Sequence, residues 1–246
     1  RERMKAVILA AGVASRLRPL TENTPKCLLK VGNKSILERT IENLAKNNIL
    51  EVIVVTGFLK NMIEDYLIQN FPNVNFTFIH NEKYDSTNNI YSLWLVKREI
   101  LGYEMLLLDS DIIFDSRIIG QLLSSKHKDC LALRSTNEIS EEEIKCLLNE
   151  DGSIKEISKT IIPKDAVGES IGIEKFSKDL VFNLFTILDR KILDKNEVNI
   201  FYEAAFQDAM NSGAKIFPVD VENYKCMEID TIDDFKLADS VVKEME

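Results

Sequence analysis

Histidine is almost missing from this chain of 246 residues: His80 and His127 are the only two. Chemistry that runs through an imidazole base or a Cys–His zinc site is therefore poorly supplied. Cysteine is sparse as well. Cys27, Cys130, Cys146 and Cys226 lie far apart with no CxxC spacing, which fits buried free thiols of a cytosolic protein and not a disulfide framework. No apolar run reaches the roughly 18 residues of a membrane span. Arg1 to Lys5 lead straight into an apolar strand with no secretory cleavage pattern, so a cytoplasmic protein is expected. Positive charge is in deficit too: 31 Lys+Arg stand against 40 Asp+Glu, a net charge of -9. That excludes a coat for nucleic acid or anionic membrane, because a phosphate polymer needs a positive field. A small anion in a local basic pocket remains compatible with it.

What is present is an ordinary globular composition, with 45% hydrophobic and 29% charged residues, enough to bury a sizeable core. Lys5 to Ala11 is a short apolar run ending at Gly12, a buried strand feeding a loop. Ser35 to Asn48 is helical, with Ser35 and Glu38 spaced as a capping box. Strands at Glu51–Thr56, Asn75–His80 and Glu104–Leu108 alternate with helices at Lys60–Asn70 and Asn88–Ile100. This is the pattern of a doubly wound, mostly parallel, Rossmann-like sheet. The second half predicts a strand at Asp129–Arg134, a hairpin over Ile144–Ser158 turning at Asp151-Gly152, and a strand at Glu169–Phe176. It continues with helices at Lys178–Lys195 and Phe201–Ser212, strands at Lys215–Val221 and Lys225–Ile229, and a closing helix at Ile232–Met245. The expected organisation is a single α/β domain over 4–246. Residues 4–128 make up its first part; 129–246 make up the second, with a small mixed-strand lobe.

The loop after the first strand runs Leu9-Ala10-Ala11-Gly12-Val13-Ala14-Ser15-Arg16 and reaches Pro25-Lys26. Small residues there let backbone N–H groups approach a phosphate or a base, outside the carboxyl end of a parallel strand, where open sheets bind ligands. Arg16 and Lys26 add positive charge. The chain has no GxGxxG, no GxxxxGK[ST] and no GxSxG. These absences disfavour a dinucleotide site, a P-loop and an esterase elbow. Asp109-Ser110-Asp111 closes the fourth strand, where two carboxylates make an oxygen-rich site for a hard cation such as Mg²⁺. A solvated, helix-capping role for Asp109 is the plainer alternative.

The run LAAGVASRLRPLT with the later TPK resembles the opening signature, AAGxGSRLxPLT...PK, of the nucleotidyltransferases that make sugar nucleotides and related activated metabolites. Ala14 stands where that signature has its second glycine. YDSTNNIYSLW (84–94), LLLDSDIIF (106–114), GESIGIEKFS (168–177) and EIDTIDDF (228–235) resemble a narrower branch, the cytidylyltransferases acting on phosphocholine and 2-aminoethylphosphonate. Arg1 to Arg3 fall outside the resemblance. It implies a nucleotidyltransferase (GT-A-like) fold, CTP as donor, and a small phosphonate or phosphomonoester as acceptor. It also implies Mg²⁺ held by Asp111 and Asp230, Lys26 at the reacting phosphate and Arg16 on the leaving pyrophosphate. Asp230 could equally cap the last helix together with Thr231.

Backbone groups of Leu9 to Gly12, with Val13, Ala14 and Ser15 beyond, are expected around the nucleotide. Asp109, Asn88, Asn89 and Ser92 join them, since asparagine both donates and accepts as base recognition requires. Asn88 could instead serve only as a helix cap. Lys159 stands where the resemblance puts the lysine that holds the acceptor phosphate, though it could be a surface lysine. Glu169, Tyr202 and Glu203 are candidates around a cationic amine. Trp94, the single tryptophan, falls on the apolar face of its helix, so an aromatic cage for a quaternary ammonium is poorly supplied and a primary amine is favoured. The competing readings are a sugar-1-phosphate nucleotidyltransferase using UTP or dTTP, a DxD glycosyltransferase, and a catalytically silent nucleotide-binding regulator.

Overall fold

The computed structural model describes residues 3–245. Arg1, Glu2 and Glu246 lie outside the described residues, and with them the ends of the segments assigned above. In chain order the strands of the first half are β1 (Met4–Ala10), β2 (Lys30–Val31), β3 (Lys34–Ser35), β4 (Glu51–Thr56), β5 (Asn75–His80), β6 (Glu104–Asp109) and β7 (Ile112–Phe114). Those of the second half are β8 (Cys130–Arg134), β9 (Lys145–Leu148), β10 (Ile154–Ser158), β11 (Gly168–Phe176), β12 (Phe217–Asp220) and β13 (Cys226–Glu228). The helices are α1 (Ile36–Lys46), α2 (Lys60–Asn70), α3 (Asn89–Trp94), α4 (Lys97–Ile100), α5 (Arg117–Ser124), α6 (Lys178–Asp189), α7 (Glu203–Asn211) and α8 (Ile232–Met245).

Nine strands form the central sheet, in the order β10-β9-β11-β6-β1-β4-β5, with β8 paired to β11 and β12 to β8. β1 is parallel to both β4 and β6, and β4 to β5. β11 runs antiparallel to β6, and the mixed strands of the second half extend the same sheet from there. The apolar run of β1 explains its central place. Ala6, Ile8 and Ala10 enter the core shared with α1, α2 and α5, whereas Val7 and Leu9 enter the opposite core with α3, α6 and α7. A strand buried on both faces has no polar side to spare, and each fully buried Ile or Leu contributes roughly 1.5–3 kcal/mol. A third, smaller core gathers Leu17, Leu29, Val31, Ile113, Ile229 and Val242 beneath α8.

Ser35 caps α1 as expected, its hydroxyl accepting the Glu38 N–H at 3.0 Å. The four cysteines are buried free thiols. No helix among the described residues is long and apolar enough to cross a membrane. The expected helix over Asn88–Ile100 is instead two, α3 and α4, interrupted at Leu95 and Val96. Ile90, Leu93, Val96 and Ile100 are all buried in one core, so the apolar spacing of a single helix is kept by two short ones. Likewise Lys178–Lys195 is α6 followed by a π turn over Arg190–Asp194. β7 and α5 have no counterpart in the sequence reading.

Candidate active site

The parallel register aligns the carboxyl ends of the central strands: Leu9 of β1 sits beside Asp109 of β6, and Ala10 beside Thr56 of β4. At this edge opens a cavity of about 360 Å³. Leu9, Ala10, Ala11, Gly12, Ala14, Arg16 and Lys26 line one side of it, and Asn88, Asn89 and Ser92 another. Asp109, Asp111 and Asp230 line its base, with Lys159 and Glu203 at the far end. Four candidates from the sequence stand elsewhere: Val13, Ser15, Glu169 and Tyr202 do not line the cavity.

Asp111 and Asp230 meet through an element that propensity alone does not reveal. β7 and β13 form a separate antiparallel pair in which Ile112 faces Glu228. The Ile229 N–H then donates to the Asp111 carbonyl at 2.8 Å. The Lys26 ammonium bridges the two acids, 3.0 Å from Asp111 Oδ2 and 3.0 Å from Asp230 Oδ1. Arg16 extends from a short 3-10 turn to within 3.7 Å of Asp230 Oδ1. Burial works to lower the Lys26 pKa, but the Asp111 and Asp230 charges outweigh it and hold the amine protonated. Burial raises Asp111 in spite of Lys26. For Asp230, less enclosed, burial works upward but the same ammonium wins and holds the carboxyl below its usual range.

The capping alternative for Asp230 resolves in the geometry. The cap of α8 is Thr231, whose hydroxyl accepts the Asp234 N–H at 3.2 Å. Asp234 Oδ2 accepts the N–H groups of Asp230 and Thr231 in return. The Asp230 carboxylate is left free to face Lys26. Asp111 Oδ1 is buried with no partner, an acceptor atom that a cation would satisfy. No group of three or more His, Cys, Asp or Glu side chains among the described residues is arranged to hold a metal. Two carboxylates with an unpartnered oxygen nevertheless suit Mg²⁺, which is usually held by one or two carboxylates plus substrate phosphates.

Ala14 adopts φ 53 and ψ 51, left-handed backbone that an L-side chain visits at a cost. This is why the resembling signature has glycine there. The loop holds the conformation through the Ala14 carbonyl, which accepts from the buried Thr21 hydroxyl at 2.7 Å and from the Leu17 N–H at 3.1 Å.

On the asparagine side, Asn88 Oδ1 accepts the Asn89 N–H at 2.7 Å, so it does cap α3. Asn89 Oδ1 accepts the Tyr202 N–H at 2.8 Å, and Ser92 Oγ accepts from Asn81 Nδ2 at 3.0 Å. The protein thereby uses these acceptor oxygens, while the asparagine amide groups and the serine O–H remain as donors toward the cavity. Asn81 and Thr87 also line this wall and escaped the sequence reading. Asn81 precedes a turn in which Asn is unremarkable, so only its burial marks it.

At the far end the Lys159 ammonium lies 4.8 Å above the Phe201 ring and 3.8 Å from Glu142 Oε2. Glu203 opens α7, buried, with Oε2 lacking any partner. Burial pushes its carboxyl up to about 7, against the pull of Lys159. Glu142 and Glu143 join this rim unforeseen. Their loop is held by buried Lys145, whose ammonium donates to the carbonyls of Glu141 at 2.9 Å and Glu143 at 2.8 Å. Of the aromatic residues, only Tyr84 and Phe201 line the cavity among the described residues. Trp94 is turned away, its indole N–H donating to Asp189 at 2.9 Å. Glu169 is spent on Arg134, 2.6 Å away, beside a smaller cavity of about 200 Å³. Tyr202 lies fully buried beneath the floor, its hydroxyl 3.0 Å from Asp109 Oδ1.

Residues 5–137 match the nucleotidyl transferase family. The chain is 28% identical to the choline-phosphate cytidylyltransferase of Streptococcus pneumoniae, over 98% of this chain and 99% of that one. It is 29% identical to the CTP:phosphoglutamine cytidylyltransferase of Campylobacter jejuni, over 95% and 98%. The solved structure of CTP:phosphocholine cytidylyltransferase from Streptococcus pneumoniae superimposes with a TM-score of 0.79 at 26% identity, covering 98% of this chain and 99% of that one. With the family match spanning more than half the chain, and these likenesses running nearly its full length, this protein belongs to the nucleotidyl transferase family and groups with its cytidylyltransferases.

Proposed function

We propose that the protein transfers CMP from CTP to a phosphonate or phosphate oxygen of a small, amine-bearing acceptor and releases pyrophosphate. The observation that carries this reading is the convergence of Lys26, Asp111 and Asp230 between two differently built walls. A donor-rich asparagine and serine wall lies on one side, and a lysine with an unpartnered glutamate on the other. Donors on the first wall suit the O2 and N3 acceptors of a cytosine edge.

In the reaction an acceptor oxygen forms a bond to the α-phosphorus as the bond from that phosphorus to the bridging oxygen breaks. The electron pair leaves with pyrophosphate. No enzyme nucleophile is required, which is why two histidines suffice. The task is to hold two anions together and to neutralise charge that builds on the leaving group. Lys26 is placed for the reacting phosphate and Arg16, with its planar guanidinium, for the pyrophosphate. Each charge-assisted hydrogen bond contributes roughly 1.5–3 kcal/mol in ordinary binding. Mg²⁺ held by Asp111 and Asp230 would supply Lewis-acid polarisation of the phosphate oxygens.

At the acceptor end Lys159 meets the phosphonate or phosphate, and Glu203 Oε2 accepts an N–H from the amine. A carboxylate oxygen in want of a hydrogen favours a primary ammonium over a trimethylated one, which has none to give. Because Lys159 already stands over the Phe201 ring, that face is not open to a quaternary ammonium. This supports 2-aminoethylphosphonate ahead of phosphocholine. The test is pyrophosphate release with four nucleoside triphosphates against 2-aminoethylphosphonate, phosphocholine, phosphoethanolamine and glucose 1-phosphate. Turnover with CTP and the amines is expected; preference for glucose 1-phosphate with UTP or dTTP would overturn the reading. A marked preference for phosphocholine would overturn only the choice of amine.

A further inference from the structure

Glu174 lies in the middle of β11, fully buried, and no part of the chemistry above uses it. Its Oε1 is 3.4 Å from the Tyr202 hydroxyl, and its Oε2 has no partner. The same hydroxyl is 3.0 Å from Asp109 Oδ1. Two contacts thus link three oxygens, and the phenol supplies one hydrogen. With the phenol donating to the nearer Asp109, the Tyr202 and Glu174 oxygens would face each other as lone pairs unless Glu174 carries a proton. Burial drives both the Glu174 and the Asp109 carboxyls well above the usual range. Asp109 has the nearer phenol and the Lys26 charge to favour its anion, whereas Glu174 has no cation. The dry site and the hydrogen count thus agree in putting the proton on Glu174.

The backbone around this chain of oxygens is shaped to admit it. Gly172 sits at φ +83, where the β11–β8 register shifts between Ser170 and Glu174. A Cβ at this position would collide with the Asp109 carboxylate, so the glycine gives that carboxylate its room. Tyr202 also ties the start of α7 to the asparagine side of the cavity through its N–H on Asn89 Oδ1. Four residues earlier in the chain, the Val198 carbonyl accepts the Asn88 N–H at 2.9 Å.

We propose that Glu174 and Tyr202 are a buried positioning pair: Glu174, held as the neutral acid, donates to the Tyr202 oxygen, and Tyr202 donates to Asp109. The start of α7 is thereby locked to the end of β6 at Asp109, two residues before Asp111. The acceptor and nucleotide halves of the cavity are set to one distance by this single tyrosine. Neither residue touches substrate; both act through Asp109. The inference rests on the cytidylyltransferase reading only for its kinetic arm.

The first arm is infrared difference spectroscopy of the full chain, wild type against Glu174→Gln, at neutral pH. The carbonyl band of a protonated carboxylic acid is expected in the wild type and lost in the variant. If no such band is lost, Glu174 is ionised and the proposal fails. The second arm is kinetic. Tyr202→Phe, checked for a wild-type circular dichroism spectrum, is expected to lower kcat about tenfold or more while the KM for CTP stays within about twofold. Glu174→Gln keeps a donor and is expected to retain wild-type kcat within about twofold, whereas Glu174→Leu falls with Tyr202→Phe. Wild-type kcat in Tyr202→Phe would overturn the proposal, as would a Glu174→Gln variant as impaired as Glu174→Leu. Should the wild type transfer no nucleotide at all, the functional reading fails, and the infrared arm still decides the pair.

Discussion

Lys26 Nζ lies 3.0 Å from Asp230 Oδ1, a contact between residues 204 positions apart in the chain. The same ammonium is 3.0 Å from Asp111, so one cation holds two carboxylates that would otherwise repel. Lys26→Ala and Asp111→Ala should each lower kcat by roughly two to three orders of magnitude, the scale of losing a group that stabilises charge in the transition state. Steady-state kinetics with CTP and acceptor measures this, and near-normal turnover in either variant would refute the mechanism.

At the start of α8 the cap is Thr231, and the proposed metal-binding role falls on its neighbour Asp230. Thr231→Ala removes the hydroxyl that caps Asp234 N–H and should cost about 1 kcal/mol of stability with kcat little changed. Asp230→Asn should do the reverse, abolishing turnover with a small effect on melting. Urea denaturation of both, alongside activity, checks the division; equal loss of activity in Thr231→Ala would contradict it.

Ala14 holds a left-handed backbone at φ 53. Glycine occupies that region without the Cβ penalty but gains entropy when unfolded, and the first effect is the larger. Ala14→Gly should therefore raise stability by up to about 1 kcal/mol, and the melting temperature by about 2–4 °C for a chain of this size. Calorimetry reads the shift. A lower melting temperature would mean that the alanine methyl makes packing contacts worth more than the strain.

Glu203 titrates at about 7 because it is buried, with Lys159 only partly offsetting that. Unfolded glutamate titrates near about 4.3, so between the two values the folded state binds the extra proton and stability falls as pH rises. Glu203→Gln should remove this slope, gaining on the wild type across the window by up to about 4 kcal/mol. In the proposed role the acceptor KM falls as pH rises through the Glu203 transition, since only the anion attracts an ammonium. The variant serves as control for titration of the acceptor itself. A wild type and Glu203→Gln pair with parallel KM profiles would remove Glu203 from the acceptor site.

Much of the frame was legible because local chemistry and tertiary structure agree. α2 and α8 run over the spans their periodicity predicts, and the Asp151-Gly152 turn joins β9 to β10. The loop motif and the two acidic motifs also single out Arg16, Lys26, Asp111 and Asp230, and the fold brings these four together. Glu169 and Tyr202 illustrate the opposite case. Sequence position put both near the acceptor, but Arg134 takes the first and the buried Asp109–Glu174 pair takes the second. Whether a carboxylate is free depends on which side chain faces it across the sheet, and that pairing is nonlocal.

The parallel α/β frame follows from the residue pattern, since a strand apolar on both faces must lie inside a sheet covered on both sides. The net charge of -9 also tells against any reading that needs a broad positive face, while leaving room for a small anion in a local pocket. Tertiary structure alone decided which groups share the cavity. β7 is three residues long and has no stability outside its pairing with β13, yet that pairing carries Asp230 to Asp111. The burial that raises the Glu174 carboxyl and leaves Glu203 Oε2 without a partner likewise exists only once the second half of the chain has closed over the first.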